Sequence, residues 1–193
     1  AGIGLSGVRW LSALTLGWLL HNPPRSLLDN SPLRELLSRN LDFSGIERSI
    51  SNGALHAVSI TASGYESGES ISFYQAHPSA HPWRRVHRIG LHSPIGVDHL
   101  LASSAIPFVF PATKIHREYF GDGSMRQLAP ISPAIHLGAT KVMIIGAGRT
   151  TESRERSAAD DHPSLAQIAG HALSSIFLDG LAVDIERMQR INQ

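Results

Sequence analysis

Residues 54–63 read ALHAVSITAS, and this stretch indicates the class of fold. Its residues are mostly small or apolar on both alternating faces, which is typical of a β-strand that is covered on both sides. Gly64 and Gly68 bracket a turn signal, and residues 71–75 (ISFYQ) form a second run of strand-forming residues. The two runs are therefore predicted to pair as a hairpin.

Helix signals lie on both sides of this hairpin. Upstream, Ser31 is a good N-cap for a helix over residues 32–38. Ser44 and Glu47 form the capping-box pattern of a second helix, which Gly53 ends. Two further short helices are predicted over residues 96–105 and 133–137.

Strand signals return downstream. Residues 118–120 are predicted to form a short strand, and residues 141–146 (KVMIIG) have the all-apolar pattern of a buried parallel strand. Residues 77–87, with two prolines and three histidines, are predicted to form a surface loop. Because strands alternate with helices, we predict an α/β fold, a three-layer α/β/α sandwich with helices on both faces of the sheet.

The composition excludes several classes of protein. The chain has 193 residues, 42% of them apolar and 17% charged, which fits a globular domain. A net charge of +1 argues against a nucleic-acid partner, since such proteins usually carry a strongly basic face. The absence of cysteine excludes a disulfide scaffold and a cysteine nucleophile. Arginine outnumbers lysine fifteen to two, which suggests a bacterial source.

The two ends of the chain give further predictions. Residues 10–20 (WLSALTLGWLL) are apolar but too few to span a bilayer, which needs about 20 residues, so we predict a helix packed on the domain. Residues 149–163 are polar without periodicity and are predicted to form a mobile loop. Residues 164–192 carry apolar side chains with a 3.6-residue period, typical of one long C-terminal helix. Residues 1–193 are predicted to belong to a single domain.

The tripeptide Gly121, Asp122 and Gly123 is the most informative chemical signal. Two glycines flank a carboxylate directly after a predicted strand, so the carboxylate has little steric cover and can meet a substrate or a second side chain. The alternative is an ordinary Asp-Gly turn, in which both residues serve only the backbone. The tripeptide alone favours the turn.

A nucleophile for such a carboxylate is not evident in the sequence. No serine lies in a strict Gly-x-Ser-x-Gly elbow, and the nearest pattern, around Ser6, has Val8 where the second glycine is required. Three histidines, His77, His81 and His87, share the predicted loop, which leaves a metal-binding module as an alternative.

Four segments follow one another in a characteristic order. They are LDNSPL at residues 28–33, ASSAIP at 102–107 with FP at 110–111, YFGDG at 119–123, and a predicted helix and strand over 130–147. In this order and spacing they resemble the patatin-like phospholipase family, over about residues 28–148. Ser124 departs from the family pattern, which usually has glycine or alanine there, and residues 126–129 depart from its common Asn-x-Pro continuation.

The resemblance implies a lipid acyl hydrolase: a phospholipase A, lysophospholipase or esterase. Its chemistry is a Ser-Asp dyad in which Asp122 is the base, acting on lipid or acyl-ester substrates with no cofactor and no metal. In the family, the serine elbow and the oxyanion loop precede this region. The chain is therefore expected to be the C-terminal part of such a domain, incomplete at its N-terminus and inactive by itself.

The resemblance also leads to expectations about location and partners. These are a cytoplasmic protein with transient contact to a membrane surface, self-association as a homo-oligomer, and no nucleic-acid partner. The alternative from a different class is a non-catalytic patatin-like domain that binds lipid or a partner protein.

Overall fold

The computed structural model describes residues 26–126, 129–145 and 190 of the chain. The predictions for residues 10–20, 149–163 and 164–192 fall outside these described residues, apart from Arg190. The chain divides into two compact units, residues 1–126 and residues 127–193.

Among its described residues, the first unit combines a six-stranded mixed sheet with three α-helices and a 3-10 helix. The helices are α1 (Ser31–Asn40), α2 (Ser44–Ser51) and α3 (Val97–Ser103), and the 3-10 helix spans Gly123–Arg126. The strands are β1 (Ala57–Gly64), β2 (Ser70–Ala76), β3 (Trp83–Arg85), β4 (Arg88–His92), β5 (Thr113–Ile115) and β6 (Glu118–Gly121). Their order in the sheet is β3-β4-β2-β1-β6-β5. This mixed sheet with helices confirms the predicted α/β class.

The predicted hairpin forms the centre of this sheet. β1 and β2 pair antiparallel, with Ala57 opposite Ala76 and Ser63 opposite Ser70. β2 also pairs with β4, and these two strands run parallel. On the other side of β1, β6 pairs antiparallel and places Gly121 opposite Ser63. The end of β6 therefore lies against the central strands of the sheet.

One face of the sheet carries the hydrophobic core. Its buried members are Ala62, Ile71, Phe73, Ile95, Ala102, Ile115 and Phe120. Val58 and Ile60 pack against this core, as expected for alternate positions of β1. The rings of Phe73 and Phe120 meet edge to face, with centroids 5.3 Å apart. Because Ala102 belongs to α3, the core fixes this helix against the central strands.

The prediction of a loop over residues 77–87 is wrong in its second half. Residues 83–85 form β3, which pairs antiparallel with β4, and Trp83 is buried with its ring stacked on Tyr74 at 5.3 Å between centroids. Gly90 makes this possible, since a Cβ there would lie 2.2 Å from the indole of Trp83. The prolines and arginines of this segment indicated a loop. The strand forms because Gly90, on the neighbouring strand β4, leaves room for the ring of Trp83.

The side-chain caps predicted for α1 and α2 do not form. Instead, the aspartate two residues before each serine makes the turn into the helix. Asp29 Oδ1 accepts the N–H of Ser31 at 3.0 Å and its O–H at 2.7 Å. Asp42 Oδ1 accepts the same two groups of Ser44 at 3.0 and 2.6 Å. We call this arrangement the Asp-x-Ser turn; it is a form of the Asx turn, in which the side chain satisfies local backbone donors.

In the second unit, α4 spans Ser132–His136, close to its predicted bounds. Gly138, at φ +91°, follows it in the left-handed conformation that glycine adopts without strain. The buried strand predicted over residues 141–146 is wrong in its described part. Residues 141–145 are in no strand and are exposed, Met143 by 83% and Ile145 by 84%. An apolar run becomes a strand only when another strand pairs with it, and none of the described strands does.

Candidate active site

Asp122 lies where β6 ends and the 3-10 helix begins. It is half-buried, and its backbone N–H donates to the carbonyl of Ala105 at 3.0 Å, just beyond α3. On its other side, Gly121 is paired with Ser63 of β1. The backbone at Asp122 is thus held between a central strand and the segment that follows α3.

Close packing explains both glycines beside this carboxylate. A Cβ on Gly123 would lie 2.1 Å from the carbonyl oxygen of Thr61, and one on Gly121 would lie 2.5 Å from the hydroxyl of Tyr65. Neither glycine has a positive φ. Neither position therefore needs glycine for its backbone freedom. A side chain at Gly123 would push the backbone of β1 away, whereas one at Gly121 would displace the phenol of Tyr65.

The carboxylate itself is held by one of its oxygens. Asp122 Oδ1 accepts the N–H of Ser124 at 2.8 Å and its O–H at 2.5 Å. This is the same Asp-x-Ser turn that leads into α1 and α2. Within the part of the chain that the structure describes, no hydrogen bond reaches Oδ2 of Asp122, so this oxygen is the one left to accept a proton or contact a ligand.

The surroundings of Asp122 distinguish it from Asp29 and Asp42, the other two aspartates that form an Asp-x-Ser turn. Asp29 and Asp42 are exposed on the surface, and the hydroxyls of their serine partners hold their pKa values below the ordinary value of 3.8. Asp122 is partly buried at the end of the central strands, next to two tightly packed glycines. The same local turn is therefore placed in a different environment.

Tyr65 is a neighbour of Asp122 that sequence reasoning missed. Its backbone N–H donates to the carbonyl of Tyr119 at 3.0 Å, and its phenol ring lies over Gly121. Burial of the phenol and, second, the negative charge of Asp122 raise the pKa of Tyr65 above 10.0. Only the pairing register of β1 with β6 brings these residues together, so no local pattern could have indicated it.

Backbone hydrogen bonds link three of the segments with family resemblance to one another. The N–H groups of Leu27 and Leu28 donate to the carbonyls of Phe108 and Val109, both at 2.8 Å. Arg34 of α1 pairs with Asp98 of α3 at 2.6 Å. The bond from Leu28 to Val109 links residues 28–33 to residues 102–111, and the bond from Asp122 to Ala105 links residues 102–111 to residues 119–123. The fourth segment, residues 130–147, belongs to the second unit.

Neither a metal site nor a membrane-spanning helix is found in the described part of the chain. No three histidine, aspartate or glutamate side chains converge there to hold a metal ion, and His77 of the histidine-rich segment bonds to Ser79 instead. None of the helices described is both long and apolar enough to cross a membrane.

A cleft of about 570 Å³ lies away from the carboxylate. It is lined by Glu47, Ile50, Ser51, Ala76, His77, Pro78 and His92. Ala76 ends β2, whereas Ser70, at the start of β2, lies opposite Ser63, which is opposite Gly121. A seven-residue strand spans about 20 Å, so the cleft is separate from the site at Asp122.

The fold and the site together define an α/β protein with a glycine-flanked carboxylate at the end of β6, next to the central strand β1. The family model described as patatin-like phospholipase matches residues 7–135, about two thirds of the chain, and the chain belongs to that family. The match contains Asp122 and the three segments that backbone hydrogen bonds link to one another. At the level of the family, the activity is lipid acyl hydrolysis. No curated protein and no solved structure matches the chain significantly.

Proposed function

We propose that Asp122 is the general base of a Ser-Asp dyad in a lipid acyl hydrolase of the phospholipase A, lysophospholipase or esterase type. The observation that carries this proposal is the state of the carboxylate: Ser124 occupies Oδ1, while Oδ2 receives no hydrogen bond from the described residues. A base needs one oxygen fixed in position and the other available to the proton that it removes.

The proposed reaction uses Oδ2 twice. It accepts the proton of a serine hydroxyl as the serine oxygen attacks the carbonyl carbon of the ester, and then returns that proton to the departing alcohol as the ester C–O bond breaks. In the second half, Oδ2 takes a proton from water as the water oxygen attacks the acyl carbon, and gives it to the serine oxygen as the acyl–serine bond breaks and the carboxylic acid leaves. The serine and the oxyanion donors are proposed to come from outside the 193 residues, since none of the serines here lies in a Gly-x-Ser-x-Gly elbow.

Several broader features belong to the same proposal. They are the three-layer α/β/α arrangement, membership of residues 1–193 in one patatin-like domain, a cytoplasmic location with transient contact to a membrane surface, and self-association. The family match supports a lipid or acyl-ester substrate. No cofactor and no metal enter the proposed mechanism.

The test is Asp122→Asn in the complete protein that contains this chain. Asparagine keeps an Oδ1 that accepts both groups of Ser124, so the turn survives, but it cannot take the serine proton. We expect the rate of ester hydrolysis to fall by about 10² to 10⁴, the usual contribution of a general base. The measurement is turnover of a p-nitrophenyl ester, compared between variants of equal melting temperature.

Two matched control variants accompany this test. Asp29→Asn changes the same Asp-x-Ser turn at an exposed position, and Asp98→Asn changes a carboxylate at the start of α3. Both should keep most of the activity. Near-normal turnover by Asp122→Asn would show that Asp122 is only a turn residue, and the dyad would then be wrong. Asp179, a further control carboxylate, lies outside the described residues.

One observation favours the non-catalytic alternative. The Asp122–Ser124 bonds reproduce those at the entries to α1 and α2, which serve the backbone alone. In that case the complete protein would bind lipid vesicles or a partner but hydrolyse no acyl ester, with or without Asp122→Asn. The activity of the unaltered complete protein therefore separates the two functions before any variant is made.

A further inference from the structure

A second polar side chain, that of Tyr65, lies next to the residue that precedes Asp122, and the proposed mechanism does not use it. A Cβ on Gly121 would stand 2.5 Å from the hydroxyl oxygen of Tyr65 and 2.8 Å from its Cζ. The hydroxyl end of Tyr65 is therefore next to the residue that immediately precedes Asp122. Because Gly121 has no side chain, there is room for this end of the phenol.

The hydroxyl of Tyr65 is available to a ligand. The residue is 47% exposed, and none of the hydrogen bonds found among residues 26–126 and 129–145 uses this hydroxyl. Burial and the charge of Asp122 keep the pKa of Tyr65 above 10.0, so the phenol retains its proton at neutral pH and can donate it. The hydroxyl of this half-exposed residue, which has no acceptor among the described residues, thus lies at Gly121, one position before the carboxylate whose charge raises the pKa of the phenol.

We propose that Tyr65 is a substrate-binding residue whose hydroxyl donates a hydrogen bond to an uncharged oxygen of the ester group. This inference rests on the proposed hydrolase function of Asp122. The negative charge of Asp122 disfavours an anionic phosphate at the same place, whereas an ester oxygen accepts a hydrogen bond without carrying a charge. The contact would hold the ester next to Oδ2 of Asp122.

The experiment compares Tyr65→Phe with Tyr119→Phe in the complete protein. Tyr119 is a close match, since it is 41% exposed and its ring lies 5.7 Å from the Lys114 ammonium rather than beside Asp122. The substrates are p-nitrophenyl butyrate, which has no phosphate, and phosphatidylcholine in mixed micelles. One hydrogen bond between neutral groups corresponds to about a 3- to 10-fold loss of kcat/KM. We expect Tyr65→Phe to show this loss with both substrates, and Tyr119→Phe to stay within about twofold of the unaltered protein.

Each other outcome has a defined meaning. A loss confined to phosphatidylcholine would show contact with the head group and overturn the ester contact. Equal activity of Tyr65→Phe and the unaltered protein, with activity lost in Asp122→Asn, would overturn the role of Tyr65 and leave the dyad intact. Full activity of Asp122→Asn would overturn the dyad, and the role inferred for Tyr65 would fall with it.

Discussion

At the scale of single residues, an identical local bonding pattern occurs at three aspartates. Asp29, Asp42 and Asp122 each accept the N–H and the O–H of the serine two residues later. In the first two the turn leads into a surface helix. In the third the turn follows β6, next to the central strand β1, and closely packed glycines lie on both sides of the aspartate. We therefore propose a catalytic role for Asp122 because of its position beside the sheet. The turn itself is common to all three aspartates and does not distinguish Asp122.

His99 gives a residue-scale prediction about pH. Its side chain in α3 is 7% exposed, Nδ1 accepts the N–H of Gly96 at 3.1 Å, and the ring meets Phe73 edge to face at 4.8 Å. Burial lowers the pKa of His99 below 6.5, and the nearby His116 lowers it further, while the charge of Asp98 acts in the opposite direction. The folded protein therefore binds fewer protons at this site than the unfolded chain does.

The sign of the effect follows from this difference. The contribution of His99 to the free energy of unfolding is fully present above pH 6.5. It is lost as the pH falls from 6.5 toward the lowered pKa of the folded protein, because in that range only the unfolded chain binds the proton. His99→Asn keeps an acceptor for Gly96 but does not titrate. We expect the urea midpoint to fall less between pH 7.5 and pH 5 in this variant than in the unaltered protein. The exposed His81→Asn is the control, and an unchanged pH dependence in His99→Asn would contradict the prediction.

At the scale of elements, the β3–β4 pair depends on one glycine. Gly90 of β4 leaves room for Trp83 of β3, whose ring stacks on Tyr74 of β2. A β-carbon at Gly90 would lie within 2.4 Å of three indole atoms, so the ring must leave its place. Three neighbouring strands are thus joined through a single buried aromatic pair.

Gly90→Ala is therefore expected to destabilise the protein by about 1–3 kcal/mol, the usual cost of overpacking a core. Gly45→Ala in α2 is the control, because a Cβ there would meet only the guanidinium of Arg48, at an ordinary 3.7 Å. Urea unfolding followed by tryptophan fluorescence measures both variants. Equal stability of Gly90→Ala and the unaltered protein would show that β3 and its indole contribute little to the sheet.

At the scale of the whole molecule, the described surface carries an uncovered apolar run. Val142, Met143, Ile144 and Ile145 are exposed by 36, 83, 41 and 84%. The outer strands of the sheet, β3 and β5, have only three residues each, and they carry Arg84, Arg85 and Lys114. Short, charged edge strands are poor templates for pairing with another chain, so the apolar run is the surface through which we expect any self-association to occur.

We expect the 193-residue chain to form dimers or larger assemblies, and replacement of both Met143 and Ile145 by lysine to reduce them. Charged side chains remove the apolar surface that association would bury. Val86→Lys is the control, since Val86 is 80% exposed but stands alone in the β3–β4 turn. Light scattering over a range of concentrations is the measurement. A clean monomer of the unaltered chain at high concentration would contradict this prediction.

Much of the first unit could be predicted from local sequence. The hairpin of β1 and β2, the helices α1 to α3 and the strand before Asp122 depend on side-chain periodicity and on turn residues, which act between near neighbours in the chain. The order of family-like segments in the sequence also led to the family that the match confirms. The assignment of Asp122 as a base stays a prediction.

Other features were decided only by the tertiary structure. β3 required Gly90 on another strand, and the apolar residues 141–145 formed no strand because none of the described strands pairs with them. Tyr65 reaches the candidate site through the pairing of β1 with β6, which brings together residues 56 positions apart. The periodicity of apolar residues indicates which side chains prefer burial. The partner of each strand and the space around each side chain depend instead on residues distant in the chain. The sequence by itself therefore determined the elements and the family, and the tertiary structure determined which side chains surround Asp122.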